Sequence, residues 1–178
     1  MEQIINPSKI KDLEHLLHDA IKHLLETVAV FNDTHFNQVP FEGSWTAAQV
    51  SEHVLKSLDG INEMVHASTQ PTTRDPEQYI NELREMMENF GMKAKSAPNL
   101  LPGKEPVTKT AIQNRLLQSR DDLFHSIRNV DLSETCIGFE FPGIGYLTRF
   151  ELISFAAFHT QRHIQQMKNI QKTVSNTQ

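Results

Sequence analysis

TRFELISFAAFHTQRHIQQMKNI, residues 148–170, opens on a helix-start signal. Thr148 followed three positions later by Glu151 forms a capping box, in which hydroxyl and carboxylate satisfy reciprocal backbone donors. Leu152, Ala156, His159, His163, Gln166 and Ile170 then recur in steps of three and four, so all six share one inward face of a long helix. Two of those inward positions carry imidazoles where the period asks for apolar residues. The tail after Lys172 is polar and is expected to fray.

Upstream, residues 136–147 are too rich in glycine for a helix and fit a loop or small hairpin. A helix is predicted over 108–130, with Ile112, Leu116, Leu123, Ile127 and Val130 inward. Prolines at 71, 76, 98, 102 and 106 rule out one continuous helix between 69 and 107. Within that stretch Asp75-Pro76-Glu77-Gln78 signals a start and Gly91 a stop, which predicts a short amphipathic helix on a long crossover. A connection running from end to end needs such length, although a lid would also fit.

Before the crossover, Thr46-Ala47-Ala48-Gln49 is a second capping box, and Val50, His53, Val54, Ser57, Ile61 and Met64 form the inward series of a helix that ends near Ser68. Residues 32–44 are rich in turn signals. The first helix opens at Asn6-Pro7, Asn capping and Pro in the first helical position, and buries Ile10, Leu13, Leu17, Ala20, Leu24, Val28 and Phe31. His15, His18 and His23 fall off that stripe and read as solvated. Four long periodic helices with almost no strand signal predict an all-α chain: a four-helix bundle with a long crossover carrying a short extra helix, and a loop or hairpin before the last helix.

At 178 residues the chain fits a single domain spanning 1–178 that can bury a core without disulfides or structural metal. One cysteine, Cys136, excludes an internal disulfide and a Cys-rich zinc site, and a reducing cytoplasm fits best. The N-terminus lacks a basic, apolar leader, and no run of eighteen apolar residues occurs, so neither secretion nor a membrane is expected. A formal charge of -5 with both signs interspersed lacks the basic footprint that nucleic acid requires.

His159 and His163 are four apart, which lets two imidazoles leave one helix face and reach a common ion. With nine histidines in the chain, roughly 0.4 such pairs arise by chance, so spacing alone decides nothing. Phase adds weight, because His53 also occupies an inward position on its own helix. Three imidazoles in a helical interior are costly unless each nitrogen is paired or metallated. A shared divalent metal answers that cost; so would separate hydrogen bonds to neighbours such as Gln49, Ser57 or Gln166.

The segments Ser44-Trp45-Thr46-Ala47-Ala48-Gln49-Val50-Ser51-Glu52-His53 and His159-Thr160-Gln161-Arg162-His163-Ile164-Gln165-Gln166 resemble the two signature helices of the DinB-like (YfiT-like) metal-dependent enzyme superfamily. The resemblance extends over essentially the full length, including Phe141-Pro142-Gly143-Ile144-Gly145-Tyr146-Leu147-Thr148 before the last helix, where many relatives have His-Pro and this chain has Phe141-Pro142. It implies a four-helix bundle with His53, His159 and His163 as metal ligands, Trp45 leading into the second helix and Gln166 supporting the site. It also implies an enzyme, foremost a thiol-dependent S-transferase that joins a low-molecular-weight thiol to small electrophiles, and common occurrence as a homodimer. Metal-dependent hydrolysis is the runner-up, and a non-catalytic metal-binding or stress-related bundle protein is the rival outside enzymology.

Three neutral imidazoles leave coordination positions open, as catalytic sites do. Imidazole suits several transition metals, zinc and nickel foremost here. No general acid or base is identified: Cys136 precedes the last helix without a partner in sequence, and Glu52, adjacent to His53, points about 100° away from it.

Overall fold

The computed structural model describes residues 5–91 and 95–176 and is mostly helical, with a small three-stranded sheet. The long helices are α1 (Pro7–Val30), α3 (Ala47–His66), α5 (Lys109–Asn129) and α6 (Arg149–Ser175); between them lie the short α2 (Asp33–Phe36) and α4 (Ile80–Glu88), and strands β1 (Thr69–Gln70), β2 (Thr135–Phe141) and β3 (Gly145–Thr148).

Local chemistry explains the starts. The Asn6 side chain accepts the Ser8 N–H at 2.9 Å with Pro7 just inside the helix. Thr46 and Gln49 close their box at 3.1 Å in both directions, and Thr148 and Glu151 close theirs at 3.2 and 2.9 Å. Thr108 caps α5 by accepting the Ala111 N–H.

Each long helix then packs on two others, in the closed order α1, α6, α3, α5 and back to α1. Leu17, Ile21, Leu24 and Val28 of α1, Val54, Leu55 and Leu58 of α3, Leu116 and Leu123 of α5, and Ile153, Ala157 and Met167 of α6 belong to one apolar core. A fully buried aliphatic side chain contributes about 1.5–3 kcal/mol, so this interior, not intrinsic helix propensity, holds the helices together.

Four details depart from the sequence reading. The short crossover helix begins at Ile80, because Asp75 organises an isolated turn first, its carboxylate accepting the Glu77 N–H at 2.9 Å, and it ends at Glu88, before Gly91. Within 32–44, Asn32 caps a single helical turn that sinks Phe36 into the core against Phe31. The last helix does not fray after Lys172: Val174 is buried and carries it to Ser175. The fourth is β1, which no pattern in the sequence indicates.

The hairpin before the last helix is present. Phe141-Pro142-Gly143-Ile144 is a type II turn, with Ile144 N–H donating to the Phe141 carbonyl at 3.1 Å and Gly143 at φ 81, a conformation natural to glycine. Strand β2 lies between β1 and β3, antiparallel to both, with a register irregularity between Thr135 and Glu140.

The crossover is anchored at both ends. At its start, buried Glu151 accepts Arg74 in a fork at 2.8 and 2.6 Å, together with the Tyr79 N–H at 2.9 Å. Near its end, Gln49, Glu52 and Lys56 project from one face of α3. Gln49 Nε2 donates to the Gly103 carbonyl (3.0 Å), Glu52 accepts the Gly103 N–H (3.1 Å), and Lys56 donates to the Leu101 carbonyl. That anchoring seats the 3-10 turn Pro98–Leu100 beside His53.

Candidate metal centre

Helices α3 and α6 pack together, and the imidazoles they carry meet between them. His53 Nε2 lies 3.3 Å from His159 Nε2, and His163 Nε2 lies 3.1 Å from the same atom. The potential ligand atoms of all three residues fall within 4.8 Å of one another. Two nitrogens each about 2.0–2.1 Å from one ion at a tetrahedral angle stand about 3.3 Å apart, a spacing that the His53–His159 and His159–His163 pairs match.

The outer nitrogens decide which way the lone pairs point. His53 Nδ1 is 2.9 Å from the Leu100 carbonyl. A carbonyl only accepts, so Nδ1 carries the proton and Nε2 presents a lone pair inward. His163 Nδ1 donates to Gln166 Oε1 at 2.7 Å, which orients its Nε2 in the same sense. His159 Nε2 faces both lone pairs and has at most one proton to offer, so neutral imidazoles alone leave one nitrogen of the trio opposed to another. A cation at the centre would satisfy all three, with the carbonyl and amide fixing the rings from outside.

Protonation is a poor substitute. Withdrawal from water lowers the pKa of His53, opposed by the Leu100 bond and reinforced by the charge of Lys56. The same desolvation holds His159 well below the ordinary histidine range, helped by His163, His53 and Arg162. His163 is pushed down to about 4, first by desolvation and then by His53 and Arg162, against the Gln166 bond. Neutral imidazole is the form that ligates metal.

His53 is buried, whereas His159 and His163 keep partial exposure. Aromatic rings flank it. Trp45 lies 5.2 Å from the His53 ring and Phe155 lies 5.5 Å from the His159 ring. Phe141 meets Phe155 edge-on at 4.9 Å, so Phe141-Pro142 supplies an apolar wall.

The structure brings together all three histidines singled out from phase. Of the suggested hydrogen-bonding partners, Gln166 reaches an imidazole, whereas Gln49 serves Gly103 and Ser57 donates to the backbone carbonyl of His53. His15, His18 and His23 are exposed on α1. Glu52 is occupied with Gly103. Cys136 is buried in β2, with burial pushing its thiol up to about 11, which disqualifies it as a nucleophile near neutral pH. Sequence reasoning missed Leu100. It acts through its backbone carbonyl, which carries no residue-type signature.

A family model described as the DinB superfamily matches residues 16–167, a span holding His53, His159, His163 and Gln166. The chain belongs to the DinB superfamily. No curated protein and no solved structure matches it. For a DinB superfamily chain the histidine cluster is the feature of immediate chemical interest, and it is the one group of three or more His, Cys, Asp or Glu found among the described residues that could hold an ion. No described helix is long and apolar enough to cross a membrane.

Proposed function

We propose that this DinB superfamily chain is a metal-dependent enzyme whose divalent ion, zinc or nickel foremost, is held by His53, His159 and His163, and that it transfers a low-molecular-weight thiol to small electrophiles. The observation that carries the reading is the convergence of three Nε2 atoms, two of them with lone pairs turned inward by outer hydrogen bonds. The long helices are read with it as a four-helix bundle forming a single domain over 1–178, cytoplasmic and homodimeric, with neither nucleic acid nor membrane as partner.

A bound ion would supply Lewis acidity at its open positions, favouring loss of the proton from a thiol or water at neutral pH. The protein's own groups set the stage. Leu100 and Gln166 hold the His53 and His163 rings in place, and Trp45, Phe155 and Phe141 limit water around the trio. Net transfer joins the thiol sulfur to the electrophilic carbon; the thiol proton passes to solvent and the leaving group departs with its bonding pair. No protein nucleophile is required, in keeping with a buried Cys136.

Metal-dependent hydrolysis is the second reading, favoured by the partial exposure of His159 and His163, which admits water to the same position. The test begins with metal analysis of untagged protein grown in metal-replete medium. Near one ion per chain is expected, and less than about 0.1 would reject the metal centre in favour of a non-catalytic role. His159→Ala is expected to lose the ion while keeping its helical circular dichroism. Loaded protein is then given 1-chloro-2,4-dinitrobenzene with and without a small thiol. Thiol-dependent chloride release that His159→Ala lacks supports transfer; ester cleavage without thiol moves the assignment to hydrolysis.

A further inference from the structure

Beyond the three imidazoles, rings continue from the centre to the surface. Phe155 stacks in a tilted arrangement near His159, Phe141 meets Phe155 edge-on, and Phe139 meets Phe141 edge-on at 6.2 Å. Phe155 is half-buried and Phe141 nearly buried, while Phe139 is 45% exposed, so the strip emerges into solvent along β2. Across the imidazoles Trp45 lies against His53. Core packing accounts for Phe141, but it does not call for a half-exposed Phe139 at the end of an unbroken line of rings leading to the histidines.

Charge narrows what would lie on such a strip. Three neutral imidazoles leave the charge of a divalent ion uncompensated, and Lys56 and Arg162 add positive potential at the rings. The Lys56 side chain donates to the backbone carbonyl of Leu101, a bond to a neutral acceptor that fixes its position. An anionic group is the complementary occupant of the open position.

We infer that the small molecule taken by this centre is an anion with an aromatic body, its charged head facing the histidine nitrogens and its ring lying along Phe155, Phe141 and Phe139. The inference rests on the metal-centre reading. Aromatic pairs favour offset or edge-to-face contact at the separations already present within the strip, so a further ring extends the series. The three phenylalanines then act as specificity residues: they discriminate by the body of the molecule, whereas the centre discriminates by its head.

Two hydroxamates separate body from head, because benzohydroxamate and acetohydroxamate carry the same metal-seeking group and differ in the phenyl ring. Cobalt(II)-loaded protein is titrated with each and read by its visible absorption. Benzohydroxamate is expected to bind about tenfold more tightly, the order for burying one ring against apolar neighbours. In Phe139→Ala that preference is expected to shrink to about threefold or less with acetohydroxamate affinity unchanged, and in Phe155→Leu the ratio of the two affinities is expected to shrink likewise. Equal affinities in the unmodified protein, or a preference that survives in both variants, would overturn the aromatic strip while leaving the metal centre standing. Failure to bind cobalt, or bound cobalt whose spectrum neither hydroxamate perturbs, would instead remove the metal-centre reading and this inference with it.

Discussion

At the start of α6 the buried Glu151 carboxylate meets four donors, two from Arg74 and one each from the backbone of Tyr79 and Thr148, whereas about two turns further along the same helix His159 faces inward lone pairs from His53 of α3 and from His163. Both clusters are withdrawn from water, and both join α6 to distant parts of the chain. The first is complete, since every donor finds an acceptor and charge meets charge. The second is fixed from outside by Leu100 and Gln166 yet leaves its inner nitrogens short of protons. A polar cluster that closes on itself holds a fold together; one held open by its own surroundings is prepared for something else.

Glu151→Ala is the strongest way to break that comparison. Removing one member of a buried ion pair strands the other, typically at a cost of about 3–5 kcal/mol, out of about 5–15 kcal/mol for a whole domain. Urea denaturation is expected to show a loss of that order, with the crossover detached from α6. A loss under about 1 kcal/mol would mean that Arg74 and the two amides find other partners and that the cluster is not closed.

The open cluster should respond differently. Gln166→Leu removes the acceptor that orients His163 and is expected to weaken metal affinity about 10–100-fold while changing folding stability little. Competition against a chelator of known affinity measures the first, and the denaturation midpoint of metal-free protein measures the second. Unaltered affinity would mean that Gln166 does no more than present a polar group to solvent on α6.

Acid provides the finest comparison. His53, His159 and His163 all have folded-state pKa values below the ordinary 6.5, His163 at about 4. In metal-free protein the unfolded chain therefore binds protons that the folded chain refuses, and stability falls as pH drops. For His163 the contribution is complete above about 6.5 and is lost progressively down to about 4. Urea midpoints across that window should decline with acid, less steeply in His163→Gln. A slope indifferent to the substitution would place the responsible protons elsewhere.

The parts of this architecture legible in the sequence are those whose causes are local. Thr46 with Gln49, Thr148 with Glu151 and Asn6 with Pro7 announce helix starts within four residues, and the three-and-four spacing of Leu13, Leu17, Ala20, Leu24 and Val28 marks a buried face without reference to any partner. The hairpin turn is announced by Pro142-Gly143. Helix α2 and strand β1 leave no signature in the sequence, because a single turn and two residues are too short for any period to register. Glu151 was readable as a cap, but not as the partner of Arg74, which stands 77 positions away.

The sequence by itself determined which stretches become helices, which faces they bury, and that His53, His159 and His163 lie on buried faces, because backbone hydrogen bonding and amphipathic period act over a few residues. Tertiary structure alone decided that the three Nε2 atoms stand at one height, that the Leu100 carbonyl backs His53, and that phenylalanines lead from the centre to solvent. Those outcomes depend on how helices cross and where a long connection comes to rest, which is settled by packing among residues far apart in the chain.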